Sequence, residues 1–244
     1  MIGTYELVVT LLSILVSLGT VGVCLVSRCF FRYFWLNLYL LSNIVFMLGG
    51  LYLLRNYGYT SPQYFYFYYT GDALVTLINY LLIGSFFTYL FRHSIFNKYV
   101  RLILAFFFLG VVIVSGLFIS GSIERLYSRW VIEFQQNMYF VGVLLTFLLW
   151  MTMTYLRAET RRFVLLVSGM GIFFSAHAAN YALRFLSHSP DLEALLAKVP
   201  PLAFTLMVVL WLYTFWRVPE GEAAVEPVSR PEEDSLVKVQ ISSE

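Results

Sequence analysis

Seven apolar stretches, each near the length needed to cross a bilayer, fill almost the whole of this chain and fix its solvent before any motif is considered. They run from Leu7 to Ser27, Phe34 to Leu54, Ala73 to Phe91, Leu102 to Ser120, Phe134 to Leu156, Phe163 to Leu183 and Pro201 to Trp216. A hydrocarbon core about 30 Å thick takes about 20 helical residues. Lipid offers no partner for backbone N–H and C=O groups, so runs of this length predict helices that satisfy their own backbone. The expected fold is all-α, a seven-transmembrane-helix bundle over 1–217 followed by an acidic, disordered cytoplasmic tail over 218–244. With 60% hydrophobic and 12% charged residues, no polar segment can bury the core of a water-soluble domain. That excludes an attached kinase or cyclase.

The positions of Lys and Arg predict orientation. With the N-terminus outside, the inner side carries Arg28, Arg32, Arg92, Lys98, Arg101, Arg157, Arg161, Arg162, Arg217, Arg230 and Lys238. The outer side then carries Arg55, Arg125, Arg129, Arg184 and Lys198, and eleven against five favours N-out, C-in. This is the charge pattern of a membrane protein facing anionic headgroups, with no sign of nucleic-acid binding. Cys24 and Cys29 fall near the cytoplasmic end of the first stretch and read as packing residues in a reducing compartment.

Two helix boundaries are written in local chemistry. Ser61-Pro62 is a start signal, a capping hydroxyl followed by proline at the first helical position. The third helix is therefore expected to begin near Pro62, ahead of the aromatic run Tyr64 to Tyr69, which places Gly71 and Asp72 inside it. Ser189-Pro190 repeats the signal, with Leu192, Leu195, Leu196 and Val199 on one face, and Pro200-Pro201 should then kink or restart the last helix.

Chemistry in such a chain has to be sought in the polar minority of its spans. Asp72, Thr76, Asn79 and Tyr80 share one face of the third helix, and His177, Asn180, Tyr181 and Arg184 share one face of the sixth. Glu133, Gln136, Asn137 and Phe140 lie near the outer end of the fifth, and Asn37 and Asn43 lie in the second. The candidate ligand-binding set is Asp72, Thr76, Asn79, Tyr80, Asn137, His177, Asn180, Tyr181 and Arg184, converging on one cavity that opens outward. A carboxylate at the centre of a membrane helix costs about 2.5 to 3.5 kcal/mol on insertion scales, so Asp72 is expected to have a partner, Arg184 first and Arg55 second. A structural role, as a salt bridge or as a protonated carboxyl group near the surface, is weighed ahead of a ligand or proton role for Asp72. No nucleophile with its base, no metal-ligand set and no phosphate loop stands out, so neither catalytic residues nor a cofactor are assigned.

Several seven-span families are excluded by what is missing. Pro201 to Trp216 holds no lysine for a retinal Schiff base, and only His177 is available to a membrane zinc hydrolase. The third-helix and seventh-helix signatures of G-protein-coupled receptors are absent. The stretch Gln63-Tyr64-Phe65-Tyr66-Phe67-Tyr68-Tyr69-Thr70-Gly71-Asp72-Ala73-Leu74, followed by Phe91-Arg92-His93-Ser94-Ile95-Phe96, resembles uncharacterised bacterial seven-span membrane proteins, notably of acidobacterial type. The resemblance implies a multi-pass protein of a bacterial inner membrane and brings no activity with it.

Three functions are compatible with these features. The first is a sensor or receptor-like module with an outward polar cavity for a small ligand and a cytoplasmic or membrane protein partner. The others are a small-solute transporter or channel component, and a membrane-embedded enzyme. Near-continuous apolar sequence in the central third of each span favours the first over the second.

Overall fold

A computed structural model describes residues 4–92, 97–117, 123–156, 160–186 and 189–219. The described residues form α1 (Thr4–Val26), α2 (Phe34–Tyr57), α3 (Pro62–Leu90), α4 (Asn97–Leu117), α5 (Ile123–Leu156), α6 (Arg161–Leu186), a short α7 (Pro190–Leu196) and α8 (Val199–Arg217). Seven of the helical segments are long and apolar enough to cross a membrane, α7 and α8 together making the last. The chain therefore reads as a multi-pass, all-helical membrane protein. We call the end at which α1 begins the N-face and the end at which α8 stops the C-face. The tail expected over 218–244 lies outside the described residues from 220 onward. Val218, at its expected start, is buried.

α3 begins at Pro62, where the sequence places it. The Ser61 hydroxyl accepts a hydrogen bond from the Tyr64 N–H at 3.2 Å and donates to the Gly58 carbonyl at 3.0 Å. Pro200 and Pro201 occupy the first turn of α8, where a missing N–H costs nothing, so they start this helix and do not interrupt it. α5 begins eleven residues before the expected Phe134. Its extra turns carry Arg129 and Glu133 among apolar neighbours, which a hydropathy boundary discounts but a helix tolerates.

Six helices close into a ring in the order α1, α2, α3, α5, α6, α8, with α8 returning to α1. α4 packs on the outside of this ring against α3 and α5 and is the least buried of the spans. The ring interior is solid. Tyr39 of α2 makes edge-to-face contacts with Phe173 of α6 at 6.5 Å and with Phe204 and Trp211 of α8, both at 6.2 Å. The Trp211 indole N–H donates to the Leu166 carbonyl at 3.0 Å, so the one polar handle of this plug is satisfied.

At the C-face the buried Arg162 of α6 donates from Nε and Nη2 to the Val218 carbonyl, at 3.0 and 2.7 Å, with its guanidinium 5.5 Å from the centre of the Phe215 ring. This arginine, counted by sequence among loop charges, instead ties the end of α8 to the start of α6. α1 stops at an Arg28 in the left-handed region, φ 55°, where the Cys29 N–H reaches back to the Cys24 carbonyl at 3.0 Å. Cys24 and Cys29 are free thiols packed in the core.

A candidate ligand site at the N-face

The polar residues of α3, α5 and α6 meet in two layers one helical turn apart. In the layer nearer the N-face, the Tyr181 hydroxyl donates to Gln135 Oε1 at 3.2 Å. The amide nitrogen of Gln135 is then free to donate to the carboxyl of Asp72, which it adjoins. In the next layer, Tyr139 adjoins Thr76 and stacks on His177, ring centres 4.4 Å apart. Tyr139 also stacks on Tyr181 at 5.8 Å, joining the layers. Each helix contributes a pair four residues apart: Asp72 and Thr76, Gln135 and Tyr139, His177 and Tyr181. That is one turn on each helix, so a single face of each is enough to build the ladder.

The other side of Asp72 faces open space. A cavity of about 330 Å3 lies among α1, α2 and α3, with Asp72, Asn43 and Thr10 as polar groups and Tyr64, Phe67 and Phe46 among its aromatic walls. Tyr68 also lines it and stacks against Tyr64, centroids 6.0 Å apart. Two glycines set this width. A Cβ on Gly71 would fall 2.5 Å from the Phe46 ring, and one on Gly49 would fall 2.5 Å from the Phe67 ring. α2 and α3 interlock because each offers a glycine to the other's phenylalanine.

The structure redistributes the expected site. Asp72, Thr76, His177 and Tyr181 come together in the ladder. Asn180 is buried on the same face of α6, and Asn79 lies one turn deeper on α3 than Thr76; the side-chain oxygens of both lack a hydrogen-bond partner among the described residues. Tyr80 points away, its hydroxyl donating to the Leu104 carbonyl of α4 and its ring lying 5.5 Å from Phe108. Asn137 likewise turns to α4, where its Nδ2 donates to Ser115 Oγ at 3.1 Å. Both therefore hold the outlying helix and leave the ligand set. Arg184 is exposed near the end of α6, and the neighbour of Asp72 on the bundle side is Gln135 in place of the expected arginine. The polar faces of the third and sixth helices converge without their backbones packing together. α5 stands between them, and only long side chains bridge the gap.

Gln135 and Tyr139 are the functional candidates that sequence reasoning missed. The signal was present: Val131, Met138, Leu145, Leu149 and Met153 form the buried stripe of α5, and Gln135 falls on it in register. A polar residue on an otherwise apolar buried stripe marks the inward face better than the neighbouring Gln136 and Asn137 do. Among the described residues no group of three or more His, Cys, Asp or Glu could hold a metal ion. The chain matches no known protein family, curated protein or solved structure with which it was compared.

Proposed function

We propose that this protein is a receptor-like binding module that takes a small organic cation in the cavity beside Asp72. The observation that carries the reading is the environment of that carboxyl group. Gln135 holds one side of it, and the other faces a 330 Å3 space walled by aromatic rings. Aromatic faces attract cations, most strongly where water is excluded, and a carboxylate supplies the matching charge. The cavity has the size of a small-ligand site, with a few polar groups to fix orientation.

The solid interior supports binding over passage. A transporter needs a site reachable from both sides, and here Tyr39, Phe173, Phe204 and Trp211 fill the ring beyond the cavity. In a bacterial inner membrane oriented by its basic residues, the N-face would look outward and the C-face would meet a cytoplasmic partner. The test is binding by the protein reconstituted in lipid nanodiscs, read as thermal stabilisation by a panel of alkylammonium ions. A ligand at 100 times its Kd stabilises by about 2.7 kcal/mol. Asp72→Asn should remove most of that gain while the protein still folds. Equal stabilisation of both proteins by every cation would end the proposal.

A further inference from the structure

We propose a second site, independent of the first, at the C-face: a seat for one anionic phospholipid, phosphate in an arginine pocket and acyl chain in a groove between α3 and α4. The pocket, about 350 Å3, lies where the C-face ends of α2, α3 and α4 meet. Arg32 from the turn before α2, Arg92 from the turn after α3 and Arg101 of α4 line it, together with Ser85, Tyr89 and Asn97. Arg32 is already oriented, its Nη2 donating to the Tyr89 hydroxyl at 2.6 Å and its guanidinium 5.6 Å from the centre of that ring. Among the described residues no Asp or Glu lines the pocket. Arg92 and Arg101, both exposed, present guanidinium forks that suit a phosphate ester, which accepts from several donors at once.

A groove of about 360 Å3 continues from this pocket along the outside of the ring. Trp35, Thr88 and Arg101 belong to both, so the two spaces share a wall. Leu77, Leu81, Leu104 and Phe108 make the groove apolar, while Gly84 and Ala105 keep it open. From Thr88 to Leu77 it runs about 16 Å along α3, at the helical rise per residue. The Tyr80 hydroxyl, bonded to the Leu104 carbonyl, fixes α4 against α3 near its far end. Charge at the end of a span and an apolar channel leading into the bilayer describe an amphiphile lying along the membrane normal. A soluble phosphate compound would have no use for the groove, and a zwitterionic lipid would bring a cation toward three arginines.

Trp35 reports on this seat directly. The full-length protein is reconstituted in vesicles of phosphatidylcholine containing a fixed fraction of phosphatidylglycerol, with bromine on the acyl chains of one lipid or the other. The Trp35 signal is the difference in fluorescence between the native protein and Trp35→Phe. Brominated phosphatidylglycerol is expected to quench it at a mole fraction at least five-fold lower than brominated phosphatidylcholine does. Arg92→Gln with Arg101→Gln should erase that preference, and both side chains are exposed, so the fold is not at stake. Gly84→Leu, which fills the groove and leaves the arginines, should weaken quenching by both lipids. Soluble glycerol phosphate in millimolar excess should leave the preference intact. Equal quenching by the two lipids, a preference that survives loss of both arginines, or full displacement by glycerol phosphate would each overturn the assignment.

Discussion

Gln135 joins a carboxyl-bearing and a hydroxyl-bearing helix whose backbones do not pack against each other, so its removal should be felt on both. Gln135→Leu leaves the Tyr181 hydroxyl and the Asp72 carboxyl without their shared partner, and a buried group left unsatisfied costs about 1 to 3 kcal/mol. Thermal unfolding in detergent should show that loss, and adding Tyr181→Phe to Gln135→Leu should cost less than the two single changes together. Arg28 makes the opposite prediction. It is a non-glycine residue held at positive φ, so Arg28→Gly should raise stability by about 1 kcal/mol in the same assay. The contrast between these residues shows what was legible. Asp72 stood out as a lone acid in an apolar stretch. Gln135 did not, because the hydropathy boundary at Phe134 made it look like a first-turn residue at the surface. Its place on the stripe of Val131 and Met138 is evident only once α5 is known to start at Ile123.

Helix starts were readable where local chemistry sets them, and α3 is the clearest case. Ser61→Ala removes the hydroxyl that caps Tyr64 and should cost about 1 kcal/mol, with the aromatic run Tyr64 to Tyr69 fraying first in hydrogen exchange. Pairing of α2 with α3 rests on another pattern, the exchange of Gly71 for Phe46 and Gly49 for Phe67 across the interface. Gly71→Ala should destabilise by about 1 to 3 kcal/mol through overpacking, and Phe46→Leu in the same chain should restore part of it. Cation binding should fall with Gly71→Ala, since both helices wall the cavity. Sequence alone could not name the partners of these glycines. Either glycine fits any phenylalanine on any neighbour until the order of the helices is known.

That order is a property of the whole molecule, and the sequence held little of it. The spans are apolar on nearly all sides, so periodicity does not distinguish lipid-facing from ring-facing surfaces as it does in a water-soluble bundle. The ring of six with α4 outside follows from where large residues such as Trp211 and Tyr39 find room, and it moves Tyr80 and Asn137 from the expected cavity to the contact with α4. Charge predicts orientation, and a reporter fused after Glu244 should be cytoplasmic. The most direct test joins orientation, closure and the role of Asp72 in one experiment. Gly50 lines the cavity, and a Cβ there meets nothing within 4 Å, so Gly50→Cys places a thiol in the cavity that Asp72 lines once Cys24 and Cys29 are replaced by alanine. Membrane-impermeant thiosulfonates of matched size, one cationic and one anionic, are then applied from either side. Labelling is expected from the N-face only, several-fold faster with the cationic reagent, with Asp72→Asn abolishing the difference. Labelling from the C-face, or rates indifferent to reagent charge and to Asp72, would contradict a closed bundle with a cation site at its N-face.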